Sequence, residues 1–274
     1  MKKVAANIVK GFFGKLQSAK KPQKDFQLNW FHQKIIKHQD DEEVKQFTFK
    51  NGIIYYQRPY ELLHTFDALF VKGMYHFHTT DPSPLIIDCG SNIGVSILYF
   101  KNLFPLSKII SFEPDENNFR LLSLNVEKNN LSNVEVNKEA VWIKKGAISF
   151  ESNATEGSHI TEENQGHTNK VTAIRLADLL QQHSKIHFLK IDIEGAEWAV
   201  VKDCAHDLHR VENLFLEYHG KANETFKLAE IIDIIKETGF SVYIKMAADN
   251  LKKPFLQKTT SELYDVQLNL FCYR

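Results

Sequence analysis

Cysteine is scarce in this chain. Cys89, Cys204 and Cys272 are the three in 274 residues, far apart and with no Cys-x-x-Cys pair. That spacing argues against a disulfide framework and a structural zinc site, so a reducing cytoplasm is the default expectation. No apolar run approaches the ~20 residues of a membrane-spanning helix, and the N-terminus lacks the continuous apolar core of a signal peptide. An excess of one charge is also missing: 34 basic residues balance 34 acidic ones. No global field then draws the chain to nucleic acid. Two motifs are absent as well, the Asn-Pro-Pro-Tyr type that grips a flipped base and the Gly-x-Gly-x-x-Gly of dinucleotide binders.

What is present centres on residues 85 to 95, Leu-Ile-Ile-Asp-Cys-Gly-Ser-Asn-Ile-Gly-Val. An apolar run ends on Asp88, Gly90 and Gly94 follow, and a helical apolar pattern begins. This is the layout of a buried parallel strand turning tightly into a helix around a small ligand, where glycine allows close approach and the helix start offers N–H groups. A second apolar run from Lys108 ends on Glu113. An acid at that strand tip is placed to accept hydrogen bonds from ribose hydroxyls. Asp88 would repel a pyrophosphate but suits an ammonium group. A ligand with a ribose, an amino acid end and no phosphate fits this pair of acids, and S-adenosylmethionine is such a ligand.

Four blocks carry a family resemblance: Asp88-Cys-Gly-Ser-Asn-Ile-Gly94, Phe112-Glu-Pro-Asp115, Leu189-Lys-Ile-Asp-Ile-Glu-Gly-Ala-Glu197 and Leu216-Glu-Tyr-His219. In this order they resemble the signature blocks of the FkbM family, class I S-adenosylmethionine-dependent methyltransferases, over roughly residues 50 to 274. The resemblance implies an α/β Rossmann-like fold. Its mostly parallel seven-stranded sheet would carry helices on both faces and an antiparallel C-terminal strand. It also implies O-methylation of a hydroxyl, often on a saccharide, glycolipid or polyketide. Ser91 stands where the family often has Ala, and Asp203-Cys204 where a glycine is common, a change expected to touch only the helix end.

Residues 1–46 are expected to form a basic, helical extension and 47–274 the Rossmann-like domain, with 47–84 as its lead-in and 85–274 as its core. The first 25 residues hold Lys2, Lys3, Lys10, Lys15, Lys20, Lys21 and Lys24 against Asp25. With Val4, Ile8, Phe12, Phe13 and Leu16 on one face, this segment reads either as a peripheral membrane or partner contact or as a solvated helix packed on its own domain. Phe47 to Tyr56 predicts a hairpin around Asn51-Gly52, a dipeptide that favours a type I′ turn. A helix is expected over 60–77 with Leu63, Phe66, Leu69 and Phe70 inward, another over 116–128, and another over 224–238 stopped by Gly239. Residues 140–150 read as a hairpin turning near Lys145-Gly146, and 266–273 as the last strand. The polar insert over 151–170 reads as a substrate loop or a solvated one, with Ser158 and His159 as possible substrate-facing groups.

For the cofactor, the expected set is Asp88 at the ammonium, Gly90, Ser91, Asn92 and Gly94 along the methionine side, and Glu113 at the ribose. Pro114 and Val141 would flank the adenine, Glu139 would read its edge, and Asp192 would close the site. The catalytic candidates are Asp192, Glu194, Glu217 and His219 at the ends of the fourth and fifth core strands, where α/β ligands bind. Alternation sends Glu217 and His219 to the same side. One assignment makes His219, with a reference pKa of ~6.5, the base that deprotonates an acceptor hydroxyl in line with the methyl. The other uses Asp192, Glu194 and His219 to hold a divalent cation that lowers the acceptor pKa. Structural readings also stand: Glu194 capping the next helix, Lys190 pairing with an acid, Glu217 orienting His219. The rival functions are a nicotinamide oxidoreductase, a nucleic acid methyltransferase and a non-catalytic binding module.

Overall fold

The computed structural model describes residues 30–151, 159–161, 169–256 and 263–274. The basic segment over 1–25, Ser158 and the side chain of His159 lie outside the described residues. Helix α1 (Trp30–Lys37) leads to an antiparallel hairpin of β1 (Lys45–Phe49) and β2 (Gly52–Tyr56). Neither Lys50 nor Asn51 takes a positive φ, so the expected type I′ turn is not used. Gly52 matters here for space, because a Cβ would meet Asn129 Oδ1 at 2.5 Å. Helix α2 (Pro59–Phe66) follows and passes into a π-turn at Asp67–Val71. The expected helix over 60–77 therefore stops early. The wider turn stacks Phe66 on Phe70 at 4.7 Å and buries Leu62, Leu69 and Phe70, leaving Leu63 half-buried.

The core then alternates β3 (Leu85–Cys89), α3 (Val95–Leu103), β4 (Lys108–Phe112), α4 (Glu116–Lys128) and β5 (Val134–Asn137). Asp115 caps α4, accepting from the N–H groups of Asn117 and Asn118 at 3.0 Å. A four-stranded side sheet comes next, from β6 (Ala140–Trp142), β7 (Gly146–Glu151), β8 (His159–Thr161) and β9 (Asn169–Arg175). The expected 140–150 hairpin does not form. β9 lies between β6 and β7, parallel to the first and antiparallel to the second, so the two runs share a partner instead of pairing. After α5 (Leu176–Gln181) come β10 (Ile186–Ile191), α6 (Glu197–Cys204), β11 (Val211–Gly220), α7 (Thr225–Glu237), β12 (Ser241–Ala248) and β13 (Val266–Tyr273). Asp203 sits inside α6, gripped by Arg175 at 2.8 and 2.9 Å, and a 3-10 turn over Ala205–Arg210 carries the chain on. Gly239 closes α7 in the left-handed region, φ +88°.

The main sheet has the order β12-β13-β11-β10-β3-β4-β5, with β13 antiparallel to both neighbours. Strand order reverses between β3 and β10, which opens a crevice at their C-terminal ends. Period-2 alternation divides the core. Ile87, Leu189 and Leu214 face one side with Leu180, Val200 and Ile231, while Ile86, Phe188 and Phe215 face the other with Phe66, Phe100 and Leu122. Each such buried side chain stabilises by ~1.5–3 kcal/mol. Along the second face the next inward positions are Asp88, Lys190 and Glu217. The core thus turns from apolar to charged as it nears the crevice.

Candidate active site

The turn from β3 to α3 is built to be tight. Gly90 and Gly94 both take left-handed φ, +84° and +83°, and Asn92 joins them at +48°. A Cβ on Gly90 would lie 1.8 Å from the Asp192 carbonyl oxygen, and one on Gly94 would lie 2.6 Å from Leu122. Glycine here lets the loop after β10 rest on the loop after β3. The loop's N–H groups are already committed: those of Gly90 and Ser91 donate to Phe112 O, and that of Gly94 to Ser91 O. Asn92 N–H donates to Glu113 Oε2 at 2.8 Å. Four N–H groups of the turn, those of Gly90, Ser91, Asn92 and Gly94, are thus spent inside the protein.

Asp88 is fully buried. Ser96 Oγ donates to its Oδ2 at 2.5 Å, and the ammonium of Lys190 stands 3.5 Å from its Oδ1. The same ammonium donates to Gly90 O at 2.6 Å and contacts Asp192 Oδ2 at 3.1 Å. Burial on its own would lower the Lys190 pKa, but Asp192 and Asp88 outweigh it and hold the ammonium charged, well above the ordinary value. Lys190 thus ties both strand tips together, as the pairing reading expected. Glu113 is buried beyond β4, where it also accepts the Asp115 N–H at 3.0 Å. Burial, partly offset by the two backbone N–H bonds, lifts its carboxyl to about 7. Pro114 and Glu139 are half-buried nearby, and Val141 is buried in the core.

The structure brings Asp192, Glu194, Glu217 and His219 together. His219 Nδ1 lies 3.1 Å from Glu197 Oε1, while Nε2 faces Glu194 Oε2 at 3.5 Å and Glu217 Oε1 at 3.7 Å. The His219 side chain is only 2% exposed, against 26% for Glu194, 21% for Glu217 and 25% for Asp192. Burial alone would lower the imidazole pKa, yet the carboxylates of Glu197 and Glu194 hold it well above the usual value. The ring thus sits among acids that favour its protonated form. Burial also pushes the Glu194 and Glu217 carboxyls upward, against the pull of His219.

Glu194 does not cap α6. It occupies a left-handed position, φ +53°, rare for a side chain other than Gly, Asn or Asp, and such strain concentrates at functional sites. Glu197, the first residue of α6, is fully buried and instead reaches back into the preceding loop, where it accepts the N–H groups of Ile193 and Gly195 at 3.0 to 3.1 Å. One cleft runs past some of these groups, while Asp88, Glu113, Pro114, Glu139, Val141, Glu197 and His219 do not line it. Gly90, Ser91, Asn92 and Ser96 line one end, Lys190, Asp192, Glu194 and Glu217 the other, and Glu61, His64, Thr65 and Tyr75 the wall opposite.

Comparison with known proteins decides the family. Residues 88–242, more than half of the chain, match the model of the methyltransferase FkbM domain. The chain belongs to the FkbM methyltransferase family. It is 28% identical over 172 residues to "Methyltransferase sdnD" of Sordaria araneosa, a match that takes in 50% of this chain and 66% of that protein. It is 24% identical over 204 residues to "Methyltransferase 1" of Beauveria bassiana, covering 65% of this chain and 80% of that one. Among solved structures it resembles a methyltransferase FkbM from Methylobacillus flagellatus KT. That likeness has 16% identity and a TM-score of 0.47, over 73% of this chain and 46% of the other. No helix among the described residues is long and apolar enough to cross a membrane.

Three features of this FkbM methyltransferase escaped the sequence. Glu197 was legible only as an acid after Gly195, because the loop N–H groups it accepts and the His219 ring it holds come together only in the fold. Tyr264 comes from far along the chain. Its hydroxyl donates to Glu194 O at 2.6 Å and its ring packs on His219 at 4.9 Å. The wall of Glu61, His64 and Thr65 is supplied by α2, whose place beside the glycine turn is set by tertiary packing and not by its own periodicity.

Proposed function

We propose that the chain is an S-adenosylmethionine-dependent O-methyltransferase whose acceptor is a hydroxyl of a saccharide or similar glycan. The observation that carries this reading is the single cleft joining the glycine turn to three partly exposed carboxylates. When bound, the cofactor supplies an electrophilic methyl on a positively charged sulfur. Gly90, Ser91, Asn92 and Gly94 shape the turn for its methionine end, Glu113 suits the ribose hydroxyls, and Pro114, Val141 and Glu139 suit the adenine. Asp88 acts beneath this loop through Lys190 and Ser96 and does not itself line the cleft.

On the acceptor side the exposed groups are acids, the natural partners of hydroxyl donors. Glu217 faces the cleft and His219 lies behind it. We assign proton acceptance to Glu217, because a carboxyl lifted by burial toward the working pH is the more effective base. His219, held at Nδ1 by Glu197, steadies the surrounding carboxylates. The test is methyl transfer to a panel of glycans, read by mass spectrometry, in the full chain and in Glu217→Gln. The variant should lose ~10²- to 10⁴-fold in kcat while keeping cofactor affinity. An undiminished rate would remove Glu217 from the reaction. Transfer to RNA or DNA with none to any hydroxyl compound would overturn the acceptor class.

A further inference from the structure

We infer that Asp192, Glu194 and His219 form a binding site for one divalent cation, with Glu197 holding the histidine in register. One oxygen or nitrogen from each of the three lies within 4.8 Å of the others. A cation with bonds of ~2.0–2.2 Å would need these atoms to close by roughly an ångström. Asp192 and Glu194 are only partly buried, on strand-end loops that can make such an adjustment.

Two further observations point to a cation. The first is His219 itself. Its side chain is 98% buried, and Nε2 stands at 3.5 and 3.7 Å from the nearest carboxylate oxygens, longer than the ~2.7–3.2 Å of a normal N–H···O bond. Its other nitrogen is held by Glu197 at 3.1 Å. A buried carboxylate on the far nitrogen of a histidine is the arrangement that aims the near nitrogen at a metal. The second is charge. Asp88, Asp192, Glu194, Glu197 and Glu217 cluster around Lys190 and His219, with acids in excess of bases. Burying unbalanced carboxylates is costly, and a divalent ion at this point would offset the excess. Two carboxylates and one imidazole, with room left for a hydroxyl or water, suit Mn²⁺ or Mg²⁺.

What such an ion does rests on the proposed methyltransfer: bound beside the cleft, it would lower the pKa of an acceptor hydroxyl that Glu217 then deprotonates. Whether it binds does not depend on that reading. The test is titration of the metal-free full chain with Mn²⁺, followed by electron paramagnetic resonance, with cofactor binding measured separately by calorimetry. The expected result is one Mn²⁺ per chain, weakened ~10- to 100-fold or more in Asp192→Asn and in His219→Gln. The same variants should keep the wild-type far-UV circular dichroism and a cooperative thermal unfolding, which shows that they are folded. Absence of stoichiometric Mn²⁺ binding in protein that binds the cofactor would overturn the site, as would affinity unchanged in Asp192→Asn. Loss of cofactor binding alone, with Mn²⁺ still held by the wild-type chain, would count against the methyltransferase reading and leave the cation site standing.

Discussion

Glu197→Ala is expected to destabilise the fold by ~3–5 kcal/mol, the range for breaking a buried ion pair. Glu197 is fully buried and receives the N–H groups of Ile193 and Gly195 together with Nδ1 of His219. Alanine leaves these donors without an acceptor and removes the main counter-charge of a buried imidazolium. For a chain of this size that loss corresponds to a fall in Tm of roughly 5–9 °C. Thermal and urea unfolding measure it. Glu197→Gln keeps the shape but not the charge, so its loss should be smaller. A change of less than about 1 kcal/mol in Glu197→Ala would contradict the role assigned to this residue.

Gly90→Ala should have the second large effect, on both stability and ligand binding. Alanine is strained at φ +84°, and its Cβ would fall 1.8 Å from the Asp192 carbonyl oxygen. Backbone cannot swing aside like a side chain, so the loops after β3 and β10 must part. Overpacking of this kind costs ~1–3 kcal/mol beyond the conformational strain. A displacement of about an ångström at the cleft would weaken function ~10²-fold. Gly239→Ala is the matched control: φ is +88°, with nothing within 4 Å of the added carbon. It should cost only ~1 kcal/mol and leave cofactor affinity intact. Equal losses in the two variants would show that strain, and not the collision, is what matters at Gly90.

Both predictions turn on contacts between loops, and there the sequence was least informative. The strand tips were legible, because short apolar runs stop at Asp88, Glu113 and Asp192 where buried sheet meets polar crevice. The antiparallel last strand and the shared side of Glu217 and His219 followed from the family blocks and from period-2 alternation. Partner choice did not follow. Residues 140–150 alternate as two strands should, but nothing local says that β9 will enter between them. Nor does helical spacing reveal that the lead-in helix widens into a π-turn at Asp67–Val71.

At the site, residue types were readable but roles were not. Glu194 and Glu197 are both acids beside a helix start, but Glu194, in a left-handed backbone position, lines the cleft, while Glu197 is buried against the loop and His219. Asp88 looked like a ligand-facing acid because the pairing that hides it, with Lys190 of a strand about 100 residues away, is non-local. His219 looked like a neutral base because its reference pKa sits near 7. The carboxylates that favour its protonated form arrive from α6 and from the loop after β10.

The most direct test is calorimetric titration of the full chain with S-adenosylmethionine and, separately, with NAD. One S-adenosylmethionine per chain, with a dissociation constant of roughly 1–100 µM and no measurable heat from NAD, is the result predicted here. Failure to bind S-adenosylmethionine, or tighter binding of NAD, would contradict the cofactor assignment and with it the proposed O-methylation.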